Sequence, residues 1–342
     1  MTLHLDSKNI DIVYLWVDGK DLNWRLKKQR AELDFMSNYK LASYGNVEGR
    51  FRDNQELRYS LRALDKFFPE HGHVFIVTDK QRPKWLKNTE MVTFVDHTEI
   101  IPYHLLPVFD SANIESYIHH IPNLSERYFY FNDDVFFGKS VNIDDWFFSD
   151  GFYLSWSNDP EVIGTKMLKA SDSLENASRL SKKWLQDKKD KIDSKLLLEG
   201  SKKFNKNYIH TPRTFAHSPR PMLKSLMKDI EDEALELFTL VRSTTFRQWD
   251  KPTIVSDFVL RYALAHSLAF TKDYSYKHIE TANPIARKEF DQLVDQFGNL
   301  DFFCLNDTTD DASSDSQFLE EAKNTMQRIL PVPSRFESTE II

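Results

Sequence analysis

One cysteine, Cys304, occurs in the 342 residues. That excludes an internal disulfide framework and a thiolate metal cluster, and it suits a reducing compartment. Glycine is scarce too, with 9 residues, and no Gly-x-Gly-x-x-Gly turn is present. Gly138, Lys139 and Ser140 resemble the end of a P-loop, but the glycine needed five residues earlier is Asp133. Any phosphate handled here must be met by side chains and metal rather than by a glycine cradle. No apolar run approaches the roughly 20 residues of a membrane-spanning helix. Residues 1–8 lack the apolar core of a signal peptide. The chain as given is therefore expected to be cytoplasmic, at most attached peripherally to the inner face of a membrane. Positive charge is not in excess either. A net charge of −7 argues against nucleic acid as a partner, for which a basic footprint is expected.

Aromatic residues are plentiful, with 26 Phe, 13 Tyr and 7 Trp, and hydrophobic residues make up 41% of the chain, enough for a sizeable globular core. The aromatics concentrate in residues 128–131, a strand-like run interrupted by Asn132, Asp133 and Asp134 and resumed at 135–137. Two adjacent carboxylates inside such a run are costly to desolvate unless charge is supplied to them. A divalent cation carrying a phosphorylated ligand would supply it. The plainer account is a turn, since Asn and Asp favour turns.

Residues 10–17 read as a buried parallel strand ending at Asp18 and Gly19. Residues 20–44 read as one or two helices. A helix then starts at Asp53, with Asp53 and Glu56 as a capping box and Leu57, Leu61, Leu64 and Phe68 as its buried stripe. Arg58 and Arg62 lie one turn apart on it, and Arg50 and Arg52 precede it; these arginines are either solvated surface or a phosphate clamp. Residues 74–77 and 91–95 are strands ending at Asp79 and Asp96, and residues 110–121 a helix bearing Glu115. This alternation predicts an α/β fold with a mainly parallel, Rossmann-like sheet flanked by helices. Ligands of such sheets bind outside the carboxyl ends of the strands, where Asp18, Asp79, Asp133 and Asp134 would converge. The convergence favours the metal account over the turn.

Residues 171–207 are helical and Lys-rich; between 179 and 206 nine Lys and one Arg face four acids, a local balance of +6. This is a solvated helical face or a basic surface for an anionic donor, acceptor or lipid headgroup. Residues 208–221 form a loop holding His210, Arg213, His217 and Arg220. Helices are expected over 222–241, over 253–270 with Asp257 and Arg261, over 284–297, and over 317–330. Residues 302–307 repeat the aromatic-then-Asn-Asp pattern at Asn306 and Asp307. The expected organisation is a single catalytic domain with its core in residues 8–160 and 205–307. A helical Lys-rich insertion covers 161–204, and a linker and C-terminal helical tail cover 308–342.

These segments resemble the Stealth family of sugar-phosphate transferases. That family includes bacterial capsular polysaccharide phosphotransferases and the catalytic parts of the lysosomal-enzyme GlcNAc-1-phosphotransferase. The matching blocks are 10–19, 50–141, a looser stretch over 211–224 and on to Asp257, and 302–307, with the Lys-rich insertion unmatched. The resemblance implies a GT-A-like sheet, a UDP-sugar donor, and a polysaccharide or lipid-linked oligosaccharide acceptor. Hexose- or N-acetylhexosamine-1-phosphate would pass to an acceptor hydroxyl, giving a phosphodiester and UMP in capsule or cell-wall polysaccharide biosynthesis. Mg²⁺ or Mn²⁺ would be held by Asp133 and Asp134. Arg58, Arg62 and Arg247 would bind phosphate, and His217 would act as base or phosphate contact. Asp18, Asn54, Asp79, Glu115, Asp257, Asn306 and Asp307 are further candidates. The alternatives are a metal-dependent glycosyltransferase releasing UDP and a non-catalytic carbohydrate-binding protein.

Overall fold

Ile10–Leu15 (β1) is apolar on both faces and buried along almost its whole length, the pattern of a strand covered by helices on both sides. Its one charge, Asp11, is satisfied at the amino end of the sheet, accepting hydrogen bonds from the backbone N–H of His73 and Ser125 at 2.8 Å each. Parallel to β1 run Val74–Thr78 (β2), Val92–Asp96 (β3) and Arg127–Asn132 (β4), in the order β3-β2-β1-β4. The computed structural model describes residues 5–35, 40–195, 212–281, 283–310 and 316–338.

The strand order reverses between β1 and β4, so a crevice opens outside their carboxyl ends. At that point the aromatic run leaves the first sheet. Val135–Phe137 (β5) belongs to a second one, and Phe147–Phe148 (β6) and Gly151–Leu154 (β7) follow it as an antiparallel pair in a third. Arg220–Leu223 (β8) closes the first sheet, antiparallel to β4, and Ala269–Thr271 (β9) pairs with β7. Tyr276–Glu280 (β10) and Phe302–Asn306 (β11) run parallel, and β11 pairs antiparallel with β5. Asn132, Asp133 and Asp134 are thus the joint between two sheets.

The helices are Leu22–Phe35 (α1), Glu56–Phe67 (α2), His97–Ile100 (α3), Ser111–Glu115 (α4) and Ser173–Lys195 (α5). Lys224–Glu233 (α6), Leu235–Arg242 (α7), Val259–Ala265 (α8), Ala286–Gln296 (α9) and Gln317–Ile329 (α10) follow. One apolar cluster reaches from Ile10 to Phe336.

Several helices differ from their sequence pattern. α2 starts at Glu56, not Asp53: the Glu56 carboxylate accepts from the Asn54 backbone N–H at 2.6 Å, and Gln55 takes a left-handed φ of 71°. The expected helix over 110–121 is α4 followed by a 3-10 turn at Ile118–His120. Residues 220–223 pair as a strand instead of opening the helix over 222–241, which then breaks at Ala234 into α6 and α7. Ile254–Phe258 is a π-helical turn leading into α8. There Asp257 pairs with Arg261 and accepts from Ser181 Oγ of α5 at 2.6 Å, which docks the Lys-rich helix on the core. Residues 196–206 of the Lys-rich stretch, and His210, lie outside the described residues. Among the described residues no helix is long and apolar enough to cross a membrane.

Candidate active site

The crevice between β1 and β4 holds a cleft of about 160 Å³, lined among others by Trp16, Glu56, Asp79, Asp133, Asp134 and Asp307. Arg50, Ser111, Asn132, His217, Arg247 and Asn306 line both this cleft and a wider hollow of about 1100 Å³. The inner cleft alone is smaller than the roughly 300–1,000 Å³ of a typical ligand site. Joined through that shared wall, the two are ample.

Four carboxylates crowd the inner end. Burial, then the charges of Glu56, Asp134 and Asp53, push Asp133 well above the usual carboxylate range. Burial and Asp53 push Glu56 up to about 8, and burial pushes Asp134 up to about 6. Oδ1 of Asp134 is buried with no hydrogen-bond partner among the described residues. An unpaired buried acceptor costs about 1–3 kcal/mol, and mutually repelling acids gain from a cation. Clustered carboxylate oxygens with a free lone pair fit a hard divalent cation such as Mg²⁺ or Mn²⁺. The Asn-Asp-Asp turn and the candidate metal ligands are the same residues.

His217 faces this cluster from the loop before β8. The Asn132 side chain is oriented by Nδ2, which donates to Tyr130 Oη at 3.2 Å; that hydroxyl donates in turn to Glu115 at 3.0 Å. Asn132 Oδ1 is left facing His217 and accepts its Nε2–H at 3.1 Å. The lone pair then lies on Nδ1, 3.5 Å from Cys304 Sγ. Burial and the nearby Arg220, His278, Arg50 and Arg247 hold the ring neutral, well below the usual histidine range.

Those arginines form the opposite wall. Arg220 is 3% exposed, and its Nε and Nη1 have no partner among the described residues. Arg247 is held by Asp110 at 3.4 Å and by the Ser111 hydroxyl. Loss of water and the neighbouring Arg247 both weaken the hold of Arg50 on its charge. Such positive groups call for an anion.

The structure brings together Asp79, Asp133, Asp134, His217, Arg247, Asn306 and Asp307 in the inner cleft, with Glu115 in the outer hollow. Asp79 pairs with Lys27 at 2.6 Å, Asp307 with Arg52, and Asn306 donates to Glu280 at 2.8 Å. Asp18 and Asn54 stand just behind: Asp18 is pinned through its backbone to Gln81, and Asn54 donates to Glu56 at 2.9 Å. Arg58 and Arg62 are elsewhere. Both are taken up by Glu337 of the C-terminal tail, with Nε–Oε distances of 2.6 Å. Asp257 lies buried under α5. Sequence reasoning missed Glu56, which it read as a cap, together with His278 and Cys304; Arg220 it noted among the crowded loop residues without giving it a role.

Two family models match the chain: Stealth protein CR1, conserved region 1, over residues 8–35, and Stealth protein CR2, conserved region 2, over residues 50–154. A capsular polysaccharide phosphotransferase of Haemophilus influenzae is 32% identical over 327 residues, covering 92% of this chain and 82% of that protein. The chain belongs to the Stealth family.

An exopolysaccharide phosphotransferase of Streptomyces coelicolor is 32% identical over 97% of this chain and 53% of its own length. A capsular polysaccharide phosphotransferase of Actinobacillus pleuropneumoniae is 43% identical over 43% of this chain and 40% of its own. The chain thus spans about half the length, or less, of these two relatives. Among solved structures, a galactosyltransferase with donor and acceptor sugar analogues aligns over 95% of this chain and 98% of its own. The identity there is 9% and the TM-score 0.42. The matched Stealth regions contain the carboxylate cluster and Arg50, whereas His217, Arg220, Arg247 and Cys304 lie beyond them.

Proposed function

We propose that this Stealth protein transfers hexose- or N-acetylhexosamine-1-phosphate from a UDP-sugar to a hydroxyl of a polysaccharide or lipid-linked oligosaccharide. A phosphodiester forms and UMP leaves. The observation that supports this most is the meeting of acidic and basic walls across one neutral histidine. Asp133, Asp134 and Glu56 stand on one side, and Arg50, Arg247 and Arg220 on the other.

Asp133 and Asp134, with Glu56 beside them, would hold Mg²⁺ or Mn²⁺, which neutralises phosphate charge when bound. The arginines at the shared wall would hold the diphosphate from the other side and stabilise charge on the equatorial oxygens during in-line displacement. His217 would serve as base. Its proton sits on Nε2 in the free site; with that proton moved to Nδ1, toward Cys304, the Nε2 lone pair faces the cleft and can take the proton of an acceptor hydroxyl replacing Asn132. Glu115 and Tyr130 hold Asn132, and so tune His217 from behind. A weak contact with the inner membrane surface through exposed lysines such as Lys183 belongs to the same reading.

The test is incubation with Mg²⁺, a panel of UDP-sugars and a capsular oligosaccharide, with nucleotide chromatography and phosphorus NMR on the same sample. UMP and a new diester resonance are expected. UDP with a phosphorus-free product would mark a glycosyltransferase, and binding without nucleotide release a carbohydrate-binding protein.

A further inference from the structure

β10 and β11 run parallel with His278 opposite Cys304, so the imidazole and the thiol leave the same face of the sheet side by side. That face looks at the loop carrying His217. The donor atoms of His217, His278 and Cys304 all lie within 4.8 Å of one another. Nδ1 of His217, the nitrogen left with the lone pair, is the one nearest the sulfur, at 3.5 Å. Two neutral-capable imidazoles and one thiol are the donor set of a borderline-soft cation, and they leave a fourth position open. The adjoining carboxylates, of which Asp134 accepts from Cys304 Sγ at 3.5 Å through Oδ2, are the opposite kind of site, all oxygen and suited to a hard cation.

We propose that His217, His278 and Cys304 form a second metal site, of zinc class, and that its occupancy switches off the candidate base. Binding breaks the S–H bond of Cys304, releases that proton to solvent, and forms metal–sulfur and metal–nitrogen bonds. With the cation on Nδ1, the remaining ring proton is locked on Nε2. His217 can then donate toward Asn132 but cannot accept from a hydroxyl. The switch rests on the role proposed for His217; the metal site does not.

Cys304 is the one cysteine of the sequence, so any thiolate-to-metal absorption reports this site alone. The reduced protein is titrated anaerobically with Co²⁺ in excess Mg²⁺, which keeps the carboxylates filled. A near-ultraviolet thiolate band saturating at one equivalent and bleached by Zn²⁺ is expected. Cys304→Ser should lose the band, and His278→Ala, on the exposed strand, should weaken Zn²⁺ binding at least tenfold. Thermal melts check that both variants remain folded. No thiolate band, or Zn²⁺ bound as tightly by His278→Ala as by the parent, overturns the site. In the activity arm, Zn²⁺ should inhibit turnover despite excess Mg²⁺, with His278→Ala needing at least tenfold more. Full turnover with the cobalt band saturated overturns the switch. Absence of any turnover overturns the proposed reaction while the cobalt titration still decides the site.

Discussion

Oδ1 of Asp134 lies 3.6 Å from Nε2 of His217. The acid comes from the joint where β4 hands over to β5, and the histidine from the loop that leads back to β4 through β8. A carboxylate whose Oδ1 has no hydrogen-bond partner among the described residues, while Oδ2 accepts from Cys304 Sγ at 3.5 Å, thus stands beside a ring that burial keeps neutral. Both are explained by a ligand that brings positive charge to one and a proton to the other.

Replacing Asp133 or Asp134 by Asn should therefore spare the fold and abolish turnover. Relief of repulsion among the buried acids should leave the metal-free melting temperature unchanged or raised. The rise in melting temperature that Mn²⁺ or Mg²⁺ gives the parent should shrink or vanish. Calorimetric scans with and without metal check this; a parent-like metal response in both variants would remove the metal assignment.

His217→Ala should reduce the rate at saturating donor by about 10²–10⁴, the usual contribution of a general base. UDP-sugar affinity should change little. Single-turnover rates and donor binding, measured separately, decide the matter. Weak binding with normal turnover once saturated would make His217 a phosphate contact instead.

Arg62 and Arg50 should behave as opposites. Arg62 and Glu337 are each almost fully buried and bonded at 2.6 Å, so Arg62→Ala strips the buried carboxylate of its buried partner and leaves it only the more exposed Arg58 and the Ser334 backbone N–H. The expected loss is about 2 kcal/mol of stability, with donor KM unchanged in the molecules that fold. Arg50→Ala should melt like the parent and weaken donor binding by about 2 kcal/mol, the worth of a hydrogen bond to a charged group. A donor-binding defect confined to Arg62→Ala would restore the phosphate clamp on α2.

Glu231 supplies a pH test away from the cleft. Burial opposes its charge, yet hydrogen bonds from His119, His120 and Arg242 prevail and hold it well below the usual carboxylate range. A depressed folded-state value gives stability that is fully present above the unfolded value of about 4.3 and lost as pH falls below it. Glu231→Gln should thus cost about 2 kcal/mol at neutral pH. The gap to the parent should close as pH falls from about 5. Urea melts across that range check it, and a gap independent of pH would mean the carboxylate charge is not what matters.

The strands of the parallel sheet and the acids at their ends were legible because both signals are local: β-branched or aromatic runs, each closed within a few residues by an Asp. His217 stood out for the same reason, two His and two Arg being crowded into one loop. What escaped depends on partners distant in sequence. Arg62 and Glu337 are 275 positions apart, so no spacing rule tells a tail clasp from a phosphate clamp. Asp53 and Glu56 have the three-residue spacing of a capping box, and only the placement of β4 turns Glu56 toward Asp133. The polar 276–280 segment carries no strand signal of its own. It becomes β10 by pairing with β11, and that register alone sets His278 beside Cys304.

The central claim is that phosphorus moves with the sugar. It is tested most directly with a UDP-sugar carrying radioactive phosphorus at the β position only, incubated with the protein, Mg²⁺ and an oligosaccharide acceptor. The account predicts that the label passes into the oligosaccharide in step with UMP release and resists phosphatase, as a diester should. Label remaining on UDP while the acceptor gains sugar would contradict it.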